Sequence, residues 1–163
     1  MTELLDAFKG AFRAHPAGVA IITADTPEGP VGLTASSVAS VSVEPPALSF
    51  SVTKSGGSAG GVLRAPSFLV HLLGASQAPI AEAFATSGAD RFTPEQGWSF
   101  LPSGEPHLVS APVALRARPI EIVSVGPSRL VLAEVLSVHP GPEEDRLLYQ
   151  NRRFHVLPLV QAA

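Results

Sequence analysis

Residues 31–46, VGLTASSVASVSVEPP, constrain the fold more than any other part of the chain. Four valines and five serine or threonine residues share this stretch, no charged residue occurs before Glu44, and a Pro-Pro pair ends it. β-branched residues favour strands, and serine competes with helical hydrogen bonding through its hydroxyl. The stretch therefore predicts a β-strand whose side chains are smaller and more polar than those of an ordinary core strand.

The apolar periodicity changes phase within this stretch. Val31 and Leu33 occupy odd positions, Val38 an even one, and Val43 an odd one again. Because successive side chains of a strand point to opposite faces, a regular strand would turn Val38 away from the others. We predict a bulge or bend near residues 36–40.

The rest of the chain also indicates a mainly β protein with a few helices. Residues 86–111 are rich in Gly, Pro and Ser and contain Trp98, the only tryptophan, which indicates a long surface loop or lid. Roughly six or seven mostly antiparallel strands with short peripheral helices predict a barrel-like sheet in a single domain over residues 1–163. The predicted strands besides 31–43 are 19–23, 47–53, 68–73, 113–125, 130–139 and 147–155, and the predicted helices are 3–14, 58–64 and 78–85.

Composition indicates a chain that buries part of its surface against another copy of itself. Apolar residues make up 45% of the 163 residues and charged residues only 15%, and the mean hydropathy is +0.28. Large exposed apolar areas are uncommon on monomers, so we expect a homodimer.

Several classes of protein are not expected. No apolar run approaches the roughly 18 residues of a membrane span, and the start MTELLDAFKG lacks a signal-peptide pattern, so we expect a cytoplasmic protein without a membrane partner. The net charge of −3 does not favour a nucleic-acid partner. The absence of cysteine excludes disulfides and thiolate metal sites.

A second unusual stretch is residues 53–61, TKSGGSAGG, between a predicted strand and a predicted short helix. Glycines allow close approach of the backbone to a ligand, while Ser and Thr hydroxyls, Lys54 and a helix N-terminus favour a phosphate group. Neither GxxxxGK[ST] nor GxGxxG is present. A phosphate site and a purely structural helix cap both remain open on this stretch alone.

The histidines and two arginines can be interpreted as structural residues as well as functional ones. His71 falls in an apolar strand and is expected to be a packed core residue, whereas His15, His107 and His139 adjoin prolines and are expected in turns. No histidine shows the spacing of a metal site, so no metal is predicted. The adjacent arginines of the chain, Arg152 and Arg153, are either surface charges or close a phosphate site.

Together, these residues resemble the flavin reductase-like family of FMN-binding split-barrel proteins, over about residues 8–157. The segments that carry the resemblance are PAGVAIIT at 16–23, PVGLTASS at 30–37, SVSVEPP at 40–46, SVTK at 51–54 with Ser58, FLVHLL at 68–73, DRF at 90–92 and LYQNRRFH at 148–155.

The resemblance implies a split β-barrel, a homodimer with the flavin near the interface, and FMN as cofactor, with FAD also open. It implies hydride transfer from NADH or NADPH to the flavin, and release of reduced flavin to a separate monooxygenase. Because the cofactor carries the chemistry, no catalytic side chain is expected. The residues implied to contact the ring and ribityl chain are Pro30, Val31, Gly32, Leu33, Thr34, Ser36 and Ser37. Those implied to lie near the phosphate are Ser51, Val52, Thr53, Gly57 and Ser58. His155 is expected to reach the flavin or the nicotinamide.

Three positions depart from the family pattern. The turn at residues 126–129 is GPSR where the family often has Gly-Asp-His, Ala83 replaces a common arginine, and His71 replaces a usual asparagine. Two alternatives therefore stay open besides a reductase. One is a flavin-binding protein without turnover, and the other is a split barrel that holds another cofactor such as heme, which would need His71 or His155 as an axial ligand.

Overall fold

The structure is a computed structural model that describes residues 1–53 and 55–161. Its helices are α1 (Thr2–Ala14), α2 (Gly57–Arg64) and α3 (Ala78–Ala85). Its strands are β1 (Ala17–Gly18), β2 (Ala20–Thr26), β3 (Gly29–Ala35), β4 (Ala39–Val43), β5 (Pro46–Val52), β6 (Phe68–Leu72), β7 (Trp98–Phe100), β8 (Pro106–Leu108), β9 (Val113–Val125), β10 (Ser128–Pro140), β11 (Arg146–Gln150) and β12 (Arg153–Leu157).

The main sheet has seven strands in the described part of the chain, in the order β3-β2-β6-β9-β10-β5-β4, and every neighbouring pair is antiparallel. The strands β1, β11 and β12 form a smaller sheet, and β7 and β8 form a hairpin. The mainly β, antiparallel architecture predicted from the sequence is confirmed.

The two edge strands of the main sheet are consecutive in the chain. Residues 36–38 alone connect β3 at one edge to β4 at the other, and a connection of this length spans at most about 14 Å. The sheet must therefore curl until its edges approach, and β3 contacts β5 across the gap without pairing with it. The result is a barrel with a split between β3 and β5, and the bend that produces it lies where the change of periodicity predicted it.

Two apolar clusters lie on the two faces of the curled sheet. The barrel interior includes Ile22, Phe50 and Phe68, and the rings of Phe50 and Phe68 meet edge to face with centroids 5.2 Å apart. The second cluster includes Ile21 and Phe84 and packs α3 against the outside of the barrel. Because both faces of β2 are covered, its apolar run does not alternate with polar residues.

The end of the chain differs from its prediction. Residues 147–155 were expected as a single strand but form the hairpin β11–β12, with a tight turn at Asn151 and Arg152. Both turn residues have positive φ, 52° and 60°. Asparagine is common in this conformation, whereas arginine is rare there, so the sequence gives a weak signal for the turn.

The prediction of a long surface loop at 86–111 is wrong in part. The segment includes a 3-10 turn at Pro94–Gln96 and the β7–β8 hairpin, and Glu105, Pro106 and Leu108 are buried. The ring of Trp98 lies 4.9 Å from that of Phe92 and 5.4 Å from that of Phe84, measured between centroids. Trp98 therefore packs this segment against α3.

His71 fixes the β7–β8 hairpin to the barrel. Its Nε2 accepts a hydrogen bond from the Leu108 N–H at 3.0 Å, so Nδ1 carries the proton and donates to the Ile21 carbonyl at 3.0 Å. Complete burial, together with the nearby His107 and His139, lowers the pKa of His71 to about 3, although the bond to Ile21 opposes this shift. His71 is thus the packed core residue that was predicted, but His107 and His139 lie in β8 and β10 rather than in turns.

A buried carboxylate fixes the other side of the same hairpin. Glu105 is ion-paired with Arg116 at 2.8 Å and accepts hydrogen bonds from the hydroxyls of Ser67 and Ser103. Burial alone would raise the pKa of Glu105, but the hydrogen bonds from Ser103, Ser67 and Arg116 outweigh it and lower the pKa to about 2. The segment 98–108 is therefore held by charged and neutral groups in defined protonation states.

We predict that the protein loses stability as the pH falls below 7, because of His71. The folded-state pKa of about 3 lies below the ordinary 6.5, so the unfolded chain binds the proton first and folding becomes less favourable between these values. His71 alone should lower the free energy of unfolding by about 2 kcal/mol between pH 7 and pH 5. Glu105 adds to the loss only below its unfolded pKa of 4.5, because its stabilisation is complete above that value.

Urea unfolding at a series of pH values measures this effect. His71→Asn should lower stability at pH 7, because the smaller amide replaces a well-packed ring, and should flatten the dependence between pH 7 and pH 5. If the free energy of unfolding of the variant changed with pH as steeply as that of the unmodified protein, other groups would cause the pH dependence.

Candidate functional site

A groove of about 470 Å³ follows the split of the barrel. This volume lies within the range of small-molecule sites. The end of β3 with the following bend, the end of β5, the start of α2 and the end of α3 enclose it. The lining residues are Leu33, Thr34, Ala35, Ser36, Ser37, Ser51, Val52, Thr53, Gly56, Ala59, Phe84 and Ala85.

The open strand edges explain why the groove is polar. Strand β4 pairs only with residues 46–49 of β5, so the rest of β5 has one edge without a strand partner, as does β3. Unpaired strand edges present backbone N–H and C=O groups to a ligand or to side chains. The Ser37 hydroxyl takes one such position, because it accepts from the Ser51 N–H at 2.9 Å and donates to the Ser51 carbonyl at 3.2 Å.

The opposite wall is fixed by contacts between β3 and α3. The Thr34 hydroxyl donates to the Ala81 carbonyl at 2.6 Å. A Cβ at Gly32 would lie 2.6 Å from Cε1 of Phe84, so only glycine allows this ring to pack on β3. Phe84 and Ala85 then provide the apolar part of the groove.

Several hydroxyls of the groove are available to a ligand. The side chains of Ser36, Ser51 and Thr53 make no hydrogen bond to other residues that the structure describes, in contrast to those of Thr34 and Ser37. Gly57, at the groove end, has φ +60° and open space at its Cβ position, so its backbone is exposed to close approach and a larger residue would be strained.

The start of α2 closes one end of the groove. Its N-cap is Gly56, so no N-cap side chain accepts from the first N–H groups of the helix. Ser58 lies in this first turn, and its hydroxyl accepts a hydrogen bond from Arg91 Nη1 at 3.0 Å. Lys54, which was predicted to contribute to this region, lies outside the described residues.

A second cavity of about 460 Å³ adjoins the groove and shares Thr34, Ser36 and Ala85 with it. Its other lining residues are Val19, Glu82, Thr86, Tyr149, Arg152, Arg153 and Phe154. The tight turn between β11 and β12 positions the two arginines at this cavity. Two aromatic rings and two cations therefore lie next to the hydroxyls of the groove.

The structure brings most of the sequence-predicted site residues together. Those that line the groove are Leu33, Thr34, Ser36, Ser37, Ser51, Val52 and Thr53, and Gly57 and Ser58 stand at its end.

Four predicted residues lie elsewhere. Pro30 pairs with Asp25 at the far end of β3, Val31 packs into the barrel cluster, and Gly32 is buried under Phe84. His155 is exposed on β12, where its Nε2 lies 3.2 Å from the Gln150 carbonyl.

Sequence reasoning missed the α3 side of the groove and one arginine. Phe84 and Ala85 come close to β3 only through the packing of α3, and no local pattern indicates this contact. Arg91 is within the DRF segment at 90–92, which was a signal, but no role was assigned to it. Ala83 packs against the cluster outside the barrel.

The geometry does not support the heme alternative through His71, because both ring nitrogens are already hydrogen-bonded inside the protein. Among the described residues, no group of three histidine, aspartate or glutamate side chains is arranged to hold a metal ion. The described helices include none that is long and apolar enough to cross a membrane.

The arrangement is suited to binding rather than to acid–base chemistry by the protein itself. The groove combines neutral hydroxyls and open strand edges with an apolar wall formed by Phe84 and Ala85. A flat ring with polar edges can place its faces on the apolar wall and its edges on the hydrogen-bonding groups.

Comparisons with known proteins agree with this geometry. A family model described as a flavin reductase like domain matches residues 12–158. An NADH:FMN oxidoreductase of Rhodococcus qingshengii is 38% identical over 152 residues, which cover 91% of this chain and 79% of that protein.

Solved structures agree in fold. A flavin reductase domain protein from Arthrobacter sp. FB24 superposes with a TM-score of 0.88 at 30% identity, covering 96% of this chain and 98% of that one. The styrene monooxygenase flavin reductase from Pseudomonas putida S12 gives a TM-score of 0.83 at 28% identity, covering 94% and 99%. With nearly the whole barrel matched at the level of sequence and of fold, the chain belongs to the flavin reductase-like family.

Proposed function

We propose that this protein is a flavin reductase that transfers hydride from NADH or NADPH to FMN and supplies the reduced flavin to a separate monooxygenase. The groove at the split of the barrel is the observation that carries the proposal. The relatives support it, since they include an NADH:FMN oxidoreductase and the flavin reductase of styrene monooxygenase. FAD is a second flavin to be compared, because a related structure is an NADH:FAD oxidoreductase.

The residues of the groove fit FMN. The free hydroxyls of Ser36 and Ser51 can bond to the polar ring edge and the ribityl chain, that of Thr53, four residues before α2, is assigned to the phosphate end, and Phe84 offers an apolar surface. At the end of the groove, the first turn of α2 and the Ser58 hydroxyl provide donors for the phosphate. Pro30, Val31 and Gly32 act indirectly, since they shape β3 rather than line the groove.

The adjoining cavity is where we place the nicotinamide dinucleotide. It shares a wall with the groove through Thr34, Ser36 and Ala85, so two rings bound in the two spaces can approach closely. Arg152 and Arg153 provide charge for phosphate groups, and Tyr149 and Phe154 provide aromatic surface. His155 follows Phe154 on β12 and lies at the margin of this region.

The protein's own contribution is to bind and orient. Flavin, when bound, supplies the hydride-accepting ring, and the protein sets its position and electrostatic surroundings. The contacts of Thr34 with Ala81 and of Ser37 with Ser51 hold both walls of the groove before any ligand arrives. Such preorganised placement of two reactants favours the transfer step.

A homodimer is part of the proposal, and exposed apolar surface supports it. Helix α1 buries none of its residues, although Leu4, Leu5, Phe8 and Phe12 recur on one side of it. The long strands β9 and β10 also expose apolar side chains, including Ile120, Val125 and Val138. A second copy can cover these surfaces and place the flavin near the interface. The cytoplasmic location expected from the sequence stays a prediction.

We predict that the purified protein oxidises NADH or NADPH only when FMN is present. Absorbance at 340 nm with and without FMN measures the reaction, and turnover on the order of 1–1000 per second is typical of enzymes. Parallel assays with NADH, NADPH, riboflavin and FAD define the preferred substrates. Tight FMN binding without nucleotide oxidation would instead support the flavin-binding protein without turnover.

We predict that Thr53→Val combined with Ser58→Ala weakens FMN binding by roughly a hundredfold or more and affects riboflavin little. Hydrogen bonds to a charged group contribute about 1.5–3 kcal/mol each, and riboflavin lacks the phosphate. Fluorescence-quenching titrations with both flavins measure the effect.

Ser37→Ala is the comparison variant for this experiment. Its hydroxyl is engaged with the Ser51 backbone, so its loss should weaken both flavins by similar factors. If the variant with both Thr53→Val and Ser58→Ala loses affinity for the two flavins equally, or for neither, then this segment is only a helix cap.

We predict a mass of about twice 16.9 kDa in solution. Light scattering at micromolar concentration measures it, and polar substitutions on the exposed side of α1, such as Leu4→Glu with Phe8→Glu, should shift the mass toward one chain if α1 is in the interface. A mass of one chain for the unmodified protein would contradict the proposed dimer.

A further inference from the structure

Among the described residues, Arg91 is the charged side chain that hydrogen-bonds to the groove end at α2. It follows α3 in the segment that leads to the β7–β8 hairpin and reaches back to the barrel. Its Nη1 donates to the Gly32 carbonyl and to the Ser58 hydroxyl, both at 3.0 Å, and its Nη2 donates to the Thr86 carbonyl at 3.3 Å. One side chain therefore joins β3, α2 and the segment after α3.

The contact with Ser58 determines the direction of that hydroxyl. A guanidinium group has donors and no acceptor, so the Ser58 oxygen must accept from Arg91 and the hydroxyl proton must point elsewhere. Among the described residues, no acceptor takes this proton. The Ser58 hydroxyl is thus held as a donor at the start of α2, where the helix N–H groups also lack a capping side chain.

No carboxylate among the described residues pairs with the charge of Arg91. The ion pairs in the described part of the chain involve Arg116, Arg118 and Arg146, and none involves Arg91. Arg91 is only half-exposed, its guanidinium lies 5.5 Å from the centre of the Phe84 ring, and its Nε is buried without a hydrogen-bond partner. A partly buried cation without a carboxylate is stabilised when an anion binds nearby.

We infer that Arg91 is a positioning residue for the flavin phosphate. It orients the Ser58 hydroxyl so that the hydroxyl proton is donated to a phosphate oxygen. Its guanidinium, bonded to the Ser58 oxygen, also places a positive charge close to the phosphate. The inference rests on the proposed function, because the anion is the phosphate of FMN. It adds a specificity role, since Arg91 favours FMN over riboflavin from behind the groove, where it supports β3 and Phe84 but is not itself a lining residue. A purely structural tether, holding only the carbonyls of Gly32 and Thr86, is the competing explanation.

Titrations of FMN and riboflavin against Arg91→Met test the inference. The expected result is that FMN binds roughly ten- to hundredfold more weakly, the range for a charge-assisted hydrogen bond, while riboflavin changes less than about threefold. A tether without a role in phosphate recognition would weaken both flavins by the same factor, and that result would overturn the inference.

Arg64→Met is the control for the change in net charge. Arg64 ends the same helix whose first turn holds Ser58, but it is exposed and lines a different pocket beside Asp25 and Glu28. It should leave both affinities within about twofold, because its guanidinium lies beside Gly60, which is about 200° around the helix axis from Ser58. If Arg64→Met lost as much FMN affinity as Arg91→Met, the change in net charge alone would explain the effect, and the inference would be overturned.

A double-mutant cycle with Ser58→Ala tests whether Arg91 acts through that hydroxyl. The losses of FMN affinity should then be non-additive, so that Ser58→Ala with Arg91→Met binds FMN within about threefold of the weaker single variant. Losses that multiply would show that Arg91 does not work through Ser58. If Arg91→Met fails to fold, Arg91→Lys is measured instead, because lysine keeps the charge but cannot bond to Gly32 and Ser58 in the same way. A loss of affinity that is greater for FMN than for riboflavin supports the inference. Equal losses of affinity for the two flavins contradict it.

The outcome is separable from that of the reductase assay. If the unmodified protein binds FMN no more tightly than riboflavin, the inference about Arg91 fails whether or not NADH is oxidised. If FMN is preferred and Arg91→Met removes the preference, the inference stands even when no turnover is observed, and only the reductase proposal fails.

Discussion

The unclosed seam between β3 and β5 is the constraint on which the site depends. A short bend joins the two edges of one curled sheet, so the edges must approach, yet β3 and β5 do not pair across the seam. Backbone groups that would be satisfied in a closed barrel are instead directed into a groove. Ser37 satisfies part of this open edge through the Ser51 backbone. The small hydroxyl residues of the bend therefore serve both the fold and the binding surface.

The rest of the molecule keeps this seam in shape from outside the barrel. Helix α3 is held to β3 by the Thr34 bond to Ala81 and by the packing of Phe84 over Gly32. The following segment is held to the barrel by the bond of Leu108 to neutral His71 and by the ion pair of Glu105 with Arg116, and Trp98 packs between His71 and α3. Arg91 connects this outer layer with the start of α2. The groove walls are thus held in place by packing and polar contacts. Burial and hydrogen-bond partners determine the protonation states of His71 and Glu105 in this outer layer.

How far the sequence predicts this protein depends on how local each signal is. The helices, most strands and the bend after β3 follow from periodicity, and the segment 51–58 is indicated by its glycines and hydroxyls. The β11–β12 turn was missed because an arginine at positive φ leaves a weak local signal. The structure of residues 98–108 was missed because it is stabilised by distant partners, His71 and Arg116, rather than by its own pattern.

The sequence by itself determined the family, the antiparallel barrel and the stretches that line the groove, because alternation, small hydroxyls and glycines act over a few neighbouring residues. Only the tertiary structure decided which side chains share one space. It placed Pro30, Val31 and Gly32 behind the groove and brought in Phe84 and Ala85 from α3. It also brought Arg91 to Ser58 across 33 positions of the chain. Such contacts depend on how separate elements pack, and no local pattern of residues specifies them.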